Sequence, residues 1–241
     1  MIDLTGKRAF VTGGGRGIGR ATAVMLARAG AKVAVGYRSR KPAADTHVTA
    51  AVRGDLGTPA GASKAVAEAL RALGGLDILV INHGVWPADD VPVAKMTDEQ
   101  WESTRRANLD AVIYVCRAAI PNIKEGGTIV LVSSTAGQRG EAFHADYAAT
   151  KGAVISITKS LAVELAPKIT INCVAPGWVD TEMSAKPYAE GGRAAIEKTI
   201  PLRRVASAED IAGPILFLSS PLARHITGEV LNVNGGSVLC G

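Results

Sequence analysis

Tyr147 and Lys151, four residues apart, are the pair in this sequence best suited to moving a proton. Both lie in a stretch of helical character, so their side chains are expected on one helix face. A phenol with a pKa near 10 is a poor acid at neutral pH. A neighbouring ammonium group stabilises the phenolate and makes the hydroxyl a better proton donor and acceptor. The pair therefore indicates acid–base chemistry, although the same spacing also occurs in ordinary packing with a solvated lysine.

Two further polar residues, Ser134 and Asn108, are candidates for contact with a substrate or for a role in catalysis. Ser134 follows a strand-like run, and its hydroxyl is either a hydrogen-bond partner for a substrate oxygen or an ordinary turn serine. No G-x-S-x-G motif accompanies it, so a serine hydrolase is not indicated. Asn108 lies inside a predicted helix, 98–120, which begins with a capping box of Thr97 and Gln100. Because asparagine disfavours helix interiors, we expect Asn108 to be either solvent-facing or functional.

A glycine-rich turn follows the first strand-like run. It reads T-G-G-G-R-G-I-G from Thr12, which places Gly13, Gly17 and Gly19 in a T-G-x-x-x-G-x-G pattern between a strand and a helix. Glycine permits positive φ and close backbone approach, and the helix start offers free N–H groups to a pyrophosphate. The alternative is an ordinary strand-to-helix turn. The absence of G-K-[ST] excludes an ATP-binding P-loop.

These residues require a scaffold of alternating strands and helices. The predicted strands are 8–12, 32–35, 48–53, 77–81, 128–133, 169–174 and 229–233. The predicted helices are 18–29, 60–73, 98–120, 147–165 and 208–218. Several strands are apolar almost throughout, as in strands covered on both faces. The alternation predicts an α/β fold: a single-domain doubly wound Rossmann fold over 1–241, with a parallel sheet of about seven strands flanked by helices. Segment 39–46 contains Pro42, so the helix expected there is stunted or missing.

Composition and charge exclude several classes of protein. The net charge is +5, from 27 basic and 22 acidic residues, and aromatic residues make up 4% of the chain, so a nucleic-acid-binding surface is not expected. No apolar run approaches the ~18 residues of a membrane-spanning helix. The three cysteines are far apart and lack metal-ligand spacing, which predicts no disulfide framework and no metal site. With no leader-like segment after Met1, we expect a soluble cytoplasmic protein.

Taken together, the motifs resemble the short-chain dehydrogenase/reductase family over about residues 7–236. The motifs that carry the resemblance are Thr12-Gly13-x-x-x-Gly17-x-Gly19, Asp55-Leu56, Asn82-x-Gly84, Asn108, Ser134, Tyr147-x-x-x-Lys151, Pro176-Gly177-x-x-x-Thr181, Ile226-Thr227-Gly228 and Val233-Asn234-Gly235-Gly236.

The resemblance implies a role for each member of a catalytic tetrad. Tyr147 would be the general acid/base, and Ser134 would orient the carbonyl or hydroxyl group of the substrate. Lys151 would bind the nicotinamide ribose and lower the pKa of Tyr147, and Asn108 would anchor a water in a proton relay. The reaction implied is reversible hydride transfer between NADP(H) and a carbonyl or secondary alcohol.

The resemblance also implies where the cofactor and the substrate bind. The cofactor-binding positions are Gly13, Gly15, Arg16, Gly17, Ile18, Gly19, Tyr37, Arg38, Asp55, Leu56, Asn82, Gly84, Tyr147, Lys151, Pro176, Gly177, Val179 and Thr181. The substrate positions are Ser134, Gln138, His144 and Trp178, together with Trp86 and Met183, and the substrate loop spans about 178–206.

NADP(H) is expected in preference to NAD(H). Enzymes that prefer NAD place a carboxylate at the end of the second strand, where it accepts hydrogen bonds from the ribose 2′-hydroxyl. Tyr37 occupies that position here and Arg38 follows it, while Arg16 in the glycine turn is placed to assist. An arginine can grip a 2′-phosphate through two parallel hydrogen bonds. The alternative is that Arg38 is a solvated loop residue.

The sequence departs from the family pattern at two places. His83 replaces the alanine of Asn-Asn-Ala-Gly after the fourth strand, and it is either a hydrogen-bonding side chain near the cofactor or a packed, neutral histidine. The short segment after the second strand removes part of the wall beside the adenine.

The nearest subgroup by resemblance is the 3-oxoacyl carrier-protein reductase type, judged from Pro201-Leu202-x-Arg204 and residues 227–236. An acyl carrier protein is then a candidate partner, but the basic positions expected for it hold only Lys124, beside Glu125, and Lys168. A sugar, steroid or small-alcohol dehydrogenase and a non-catalytic nucleotide-sensing regulator stay open as alternatives.

A homotetramer is expected from the helices at 98–120 and 147–165. Both carry small and apolar residues beyond those needed to cover the sheet, and relatives commonly pair through the equivalent helices. The residues concerned are Ala148, Ala149, Val154, Ala162 and Val115.

Overall fold

The computed structural model describes residues 2–39, 41–42 and 48–239, in which helices pack on both faces of a seven-stranded sheet. The strands are β1 (Arg8–Thr12), β2 (Lys32–Tyr37), β3 (Ala50–Arg53), β4 (Leu76–Ile81), β5 (Ile123–Val132), β6 (Ile169–Pro176) and β7 (Val230–Val233). The helices are α1 (Gly17–Arg28), α2 (Pro59–Leu73), α3 (Asp98–Arg105), α4 (Ala111–Ala119), α5 (Thr135–Arg139), α6 (Ala145–Leu165), α7 (Ala185–Tyr188), α8 (Gly192–Thr199) and α9 (Ala208–Leu218).

The sheet has the order β3-β2-β1-β4-β5-β6-β7, and every neighbouring pair is parallel. The predicted doubly wound Rossmann fold is therefore confirmed. The chain winds outward in one direction from β1 and in the other from β4. This reversal opens a crevice beyond the carboxyl ends of the two strands, where ligands bind in such sheets.

The central strands are apolar on both faces because each face is covered by helices. All six residues of β4 are buried. Phe10 and Leu79 belong to the apolar core shared with α2, α4 and α6, whereas Val11 and Val80 belong to the core shared with α1 and α9. Successive side chains alternate between two layers that are both apolar, so the sequence shows a continuous apolar run and not an alternating pattern.

A partly buried ion pair joins the first strand to the fourth. Arg8 Nε lies 2.6 Å from Asp77 Oδ2, Arg8 Nη2 lies 2.9 Å from Oδ1, and both side chains are about one-tenth exposed. Burial acts to raise the pKa of Asp77, but the hydrogen bonds and charge of Arg8 outweigh it, and the pKa is lowered. The stabilisation is therefore present above the unfolded-state pKa of about 3.9 and is lost as pH falls through the lower folded-state pKa.

Asp77→Asn is expected to reduce the free energy of unfolding by about 2 kcal/mol at pH 7, because it leaves the Arg8 guanidinium without its counter-charge. Urea denaturation measures the loss, which should shrink as pH is lowered towards 3. Glu68→Gln is the control, because Glu68 pairs with Lys64 only at the surface, and its loss should change stability by less than about 0.5 kcal/mol. Equal effects of the two substitutions at pH 7 would contradict this role for the Arg8–Asp77 pair.

The structure corrects several predicted boundaries. The predicted helix 98–120 is divided into α3 and α4 by a turn of π-helix at Arg106–Asp110, and β5 begins five residues before the predicted 128. Helix α5 and the helices α7 and α8, within the predicted substrate loop, were not expected. Of segment 39–46, only residues 39, 41 and 42 are described and none is helical, so part of that prediction lies outside the described residues.

Thr97 caps α3 as predicted, accepting a hydrogen bond from the Gln100 N–H at 3.2 Å. The reciprocal half of the capping box is not formed. Gln100 Nε2 instead donates to Asp146 Oδ2 at 3.2 Å, so its side chain links α3 to the first turn of α6. None of the described helices is both long and apolar enough to cross a bilayer.

Candidate active site

A cavity of about 620 Å³ lies at the carboxyl edge of the sheet. The glycine turn forms one end, and Ser134, Tyr147 and Lys151 line the other. Apart from Gly19, each predicted cofactor position lines this cavity: Gly13, Gly15, Arg16, Gly17, Ile18, Tyr37, Arg38, Asp55, Leu56, Asn82, Gly84, Tyr147, Lys151, Pro176, Gly177, Val179 and Thr181.

The glycine turn is shaped so that a ligand can approach its backbone. Gly13 has φ of +66° and Gly17 has φ of +50°, in the left-handed region that favours glycine. Gly19 lies beneath the turn, where a Cβ would come within 2.3 Å of the Gly13 carbonyl oxygen. Helix α1 begins here with no side-chain cap and no acidic residue in its first turn, so its N–H groups and positive dipole end are available to an anion. The cradle fits a pyrophosphate.

Asn82 and Thr12 tie the end of β4 to the glycine turn. Thr12 Oγ1 accepts a hydrogen bond from the Asn82 N–H at 3.1 Å, and Asn82 Nδ2 lies 3.4 Å from the carbonyl oxygens of Thr12 and Gly13. These contacts fix the carboxyl ends of the two strands on either side of the crevice.

His83 packs against the same threonine. Its Nδ1 lies 2.8 Å from Thr12 Oγ1, while its Nε2 is buried without a partner among the described residues. Burial, reinforced by the charge of Lys151, lowers the pKa of His83 to about 3. His83 is thus a packed, neutral histidine that also forms a hydrogen bond and lines the cavity, so features of both interpretations are present.

Tyr147, Ser134 and Lys151 meet on the substrate side of the cavity. Lys151 Nζ lies 5.8 Å from the centroid of the Tyr147 ring and donates to the Val132 carbonyl at 2.9 Å. Both side chains are buried. Ser134 caps α5 by accepting from the Ala136 N–H at 3.2 Å, so its backbone position is fixed by the strand-to-helix turn.

The pKa of Tyr147 moves in the direction opposite to that expected. Burial raises it to about 12, against a lowering effect of the Ser134 hydroxyl. Burial also lowers the pKa of Lys151 to about 8. The expected lowering of the Tyr147 pKa by Lys151 is not found because desolvation of the phenol dominates and the ammonium group is directed at a backbone carbonyl. At neutral pH the phenol is protonated, which is the form that a proton donor requires.

Asn108 is fully buried and sits in the π-helical turn between α3 and α4. Its Oδ1 accepts from the Val85 N–H at 2.7 Å, and its Nδ2 donates to the Val85 carbonyl at 2.9 Å. The two hydrogen bonds therefore fix the position of the Val85 backbone, directly after Gly84. The Ala111 N–H donates to the Arg106 carbonyl, five residues earlier, as in a π-helix. The solvent-facing alternative is wrong.

Asp146 orients α6, the helix that carries Tyr147 and Lys151, and it was missed in the sequence. It is fully buried, accepts from Thr104 Oγ1 at 2.8 Å, and accepts through Oδ1 from the Tyr147 N–H at 2.8 Å. An acidic residue in the first turn of a helix, directly before the tyrosine, was the available signal. These bonds hold the start of α6 against α3.

Two arginines line the cavity near the glycine turn and the end of β2, and they differ in their interactions. Arg38 is exposed after β2, and its guanidinium forms no hydrogen bond or ion pair with the described residues. Arg16 Nη1 lies 2.7 Å from Glu182 Oε2, so Arg16 bridges the glycine turn to the start of the substrate loop. Both side chains line the same cavity as Tyr37.

Aromatic side chains form the wall of the substrate end. Trp86, Trp178 and Met183 line the cavity as expected. Gln138 and His144 do not. Gln138 Nε2 donates to Asn232 Oδ1 at 2.6 Å, and His144 is buried behind Trp86, with ring centroids 4.8 Å apart. His144 therefore supports the wall from behind, and Gln138 is hydrogen-bonded to β7 away from the cavity.

Comparison with known proteins decides the family. A short-chain dehydrogenase family model, described as enoyl-(acyl carrier protein) reductase, matches residues 13–237. The chain belongs to the short-chain dehydrogenase/reductase family. Its fold and its chain-wide similarity to members of the family make it an NAD(P)-dependent oxidoreductase.

Individual members of the family resemble the chain along nearly its whole length. It is 37% identical to a 3-oxoacyl-[acyl-carrier-protein] reductase of Vibrio cholerae over 246 residues, covering 98% of each chain. It is 35% identical to versicolorin reductase 1 of Aspergillus parasiticus over 256 residues, covering 97% of each. The crystal structure of a short-chain dehydrogenase from Burkholderia cenocepacia in complex with NADP superimposes with a TM-score of 0.89 at 35% identity, covering 97% of this chain and 98% of the other.

Proposed function

We propose that this short-chain dehydrogenase/reductase is an NADP(H)-dependent carbonyl reductase and secondary-alcohol dehydrogenase. The observation that carries the proposal is that Ser134, Tyr147 and Lys151 open onto the same cavity as the anion-binding glycine turn. A substrate oxygen beside Tyr147 would thus lie next to the nicotinamide end of a dinucleotide held by that turn.

The chain's own residues account for the proton and the charge. Tyr147 donates its proton to the carbonyl oxygen as negative charge develops there, and Ser134 stabilises that oxygen by hydrogen bonding. Lys151 holds a positive charge beside the phenol and is placed to bind the nicotinamide ribose. The nicotinamide ring, when bound, supplies the hydride in reduction and accepts it in oxidation. Asn108 keeps the loop after β4 in place beside the reacting groups.

A 3-oxoacyl thioester is one candidate substrate, supported by the reductase of Vibrio cholerae that the chain resembles. Lys124 and Lys168 are exposed and available to an acidic acyl carrier protein, although Glu125 offsets the first. Versicolorin reductase 1 is similar at nearly the same identity, so similarity alone does not select the carrier-bound substrate. A sugar, steroid or small alcohol stays in contention.

A nucleotide-sensing regulator of the same fold would bind the cofactor without turnover. An assay of NADPH oxidation, followed by absorbance, with a panel of ketones and acetoacetyl thioesters distinguishes the reductase from such a regulator. We expect turnover with at least one carbonyl compound of the panel. Tight NADPH binding with no oxidation by any of them would support the regulator.

We expect a homotetramer in solution, with one correction to the surface that forms it. Val115, Val154 and Ala162 are buried within the chain and cannot contribute, whereas Ala149 and Val163 on α6 are exposed. Light scattering should give about four times the chain mass of 24.8 kDa. Val163→Lys should shift the mass towards smaller species, whereas Lys64→Glu on α2 should not. A monomer at micromolar concentration would contradict the expectation.

A further inference from the structure

The substrate end of the cavity holds a carboxylate that forms no direct ion pair with the residues that the structure describes. Glu141, in the loop between α5 and α6, lines the cavity and is half-buried. The indole N–H of Trp86 donates to its Oε2 at 3.3 Å. Among the residues that the structure describes, no lysine or arginine nitrogen forms an ion pair with Glu141. By contrast, Glu182, the acidic residue that lines the cavity from the substrate loop, is paired with Arg16.

The position of Glu141 is unfavourable for an unpaired charge. Burial raises the pKa of this carboxyl group, and its charge in turn acts to raise the pKa of Tyr147. The carboxylate is therefore within electrostatic reach of the catalytic phenol and of any carbonyl oxygen beside it. Partial removal of a carboxylate from water is costly when no cation is paired with it, and a bound cation would reduce that cost.

Two indole rings border the same space. Trp86 and Trp178 both line the cavity, with centroids 6.1 Å apart and planes at 81°. His144 packs behind Trp86, and Tyr188 packs against Trp178 at 5.9 Å. Indole faces attract ammonium groups through their π electrons, most strongly where water is excluded.

The loop that carries Glu141 is held in position. The His144 N–H donates to the Glu141 carbonyl at 3.2 Å, and the Val91 N–H donates to the Phe143 carbonyl at 3.1 Å. Phe143 is exposed yet has φ of +66°, a conformation that bulky residues rarely adopt. His144 Nε2 also lies 3.2 Å from Asp90 Oδ1. Contacts on both sides of a strained residue indicate a preorganised loop.

We propose that the substrate carries an ammonium group, which pairs with the Glu141 carboxylate and lies against the indole rings of Trp86 and Trp178. The substrate class is then an amino ketone or the corresponding amino alcohol. This inference rests on the proposed function, because it names the substrate of the same site. It favours a cationic small molecule over a carrier-bound thioester.

The charges at the rim do not change this assignment. His144 and Arg139 act to lower the pKa of the Glu141 carboxyl group, whereas Asp90 acts to raise it. Arg139, which also lines the cavity, and Asp90 are both exposed. Water screens the charges of the exposed Arg139 and Asp90. The half-buried Glu141 and the indoles of Trp86 and Trp178 line the cavity, where all three can contact the same cation. The closed ion pair of Arg16 and Glu182 leaves Glu141 as the carboxylate available at this end of the described cavity.

The test compares two ketones of the same shape that differ only in permanent charge, 1,1-dimethyl-4-oxopiperidinium and 4,4-dimethylcyclohexanone. Calorimetry gives their dissociation constants in the complex with NADP⁺, and NADPH oxidation gives kcat/KM for each. We expect the wild-type protein to favour the cation in both measurements. Glu141→Gln keeps an acceptor for the Trp86 N–H but removes the charge, and should lower the preference about tenfold.

Glu125→Gln is the matched control, because Glu125 is exposed at the start of β5 and does not line the cavity. It should leave the preference unchanged. The inference is overturned if the wild-type protein binds the two ketones equally, or if Glu141→Gln retains the preference for the cation. Charge-dependent binding without oxidation of NADPH by any carbonyl compound would instead overturn the proposed function and leave the cation site standing.

Discussion

Replacing Tyr147 with phenylalanine is expected to lower kcat by about 10²–10⁴-fold, the usual contribution of a positioned general acid. The ring is buried and would still pack against its surroundings, so the change removes the phenolic proton and little else. With burial raising the pKa of the phenol to about 12, the protonated form is the one present at neutral pH. Steady-state kinetics with the best ketone of the panel measures the loss.

Tyr114→Phe provides the control for that experiment. Tyr114 is half-buried on α4, where its ring lies 5.4 Å from the Arg117 guanidinium, and it does not line the cavity. Because the Tyr114 hydroxyl is not placed to contact a substrate or cofactor in this cavity, its removal should change kcat less than about twofold. Retention of most of the wild-type kcat in Tyr147→Phe would show that another group supplies the proton.

Arg38→Ala is expected to lower kcat/KM for NADPH about ten- to hundredfold and to leave the value for NADH largely unchanged. A charge-assisted hydrogen bond is worth roughly 1.5–3 kcal/mol, and the Arg38 guanidinium has no other partner among the described residues. Arg16 is a weaker candidate for this role because it pairs with Glu182 in the structure. Kinetics with both cofactors at saturating ketone decide the preference.

Tyr37→Asp tests cofactor preference at the end of β2 by adding a carboxylate there. A carboxylate at the end of β2 would accept hydrogen bonds from a ribose 2′-hydroxyl and repel a 2′-phosphate, so preference should move towards NADH. The control for Arg38→Ala is Lys64→Ala on α2, which also removes a positive charge but at an exposed position outside the cavity. Equal efficiencies with NADPH and NADH in the unmodified protein would contradict the assignment of NADP(H).

The fold could be predicted because its signals are local. The apolar run 78–81 and the glycine turn each determine the local backbone conformation through nearby residues. Tyr147 and Lys151 were singled out by type and spacing, and Ser134 and Asn108 by their positions, before the family resemblance grouped the four as a proposed catalytic tetrad. Ser134, Tyr147 and Lys151 share one cavity.

What could not be predicted depends on contacts between distant parts of the chain. The π-helical turn around Asn108 forms where that side chain binds the backbone of Val85, a loop partner that helix propensity does not reveal. Gln138 turns away from the cavity because Asn232, far along the chain, accepts its amide hydrogen. The raised pKa of Tyr147 follows from burial, which spacing on one helix does not report.

The central claim, that this chain transfers hydride between NADPH and a carbonyl carbon, is tested most directly by isotope transfer. The protein is incubated with (4R)- or (4S)-[4-²H]NADPH and a ketone that it reduces, and the alcohol is examined by mass spectrometry and NMR. If this claim holds, the carbinol carbon carries deuterium from one of the two labelled cofactors and none from the other. Binding of NADPH without oxidation, or an alcohol that carries no deuterium from either cofactor, would contradict it.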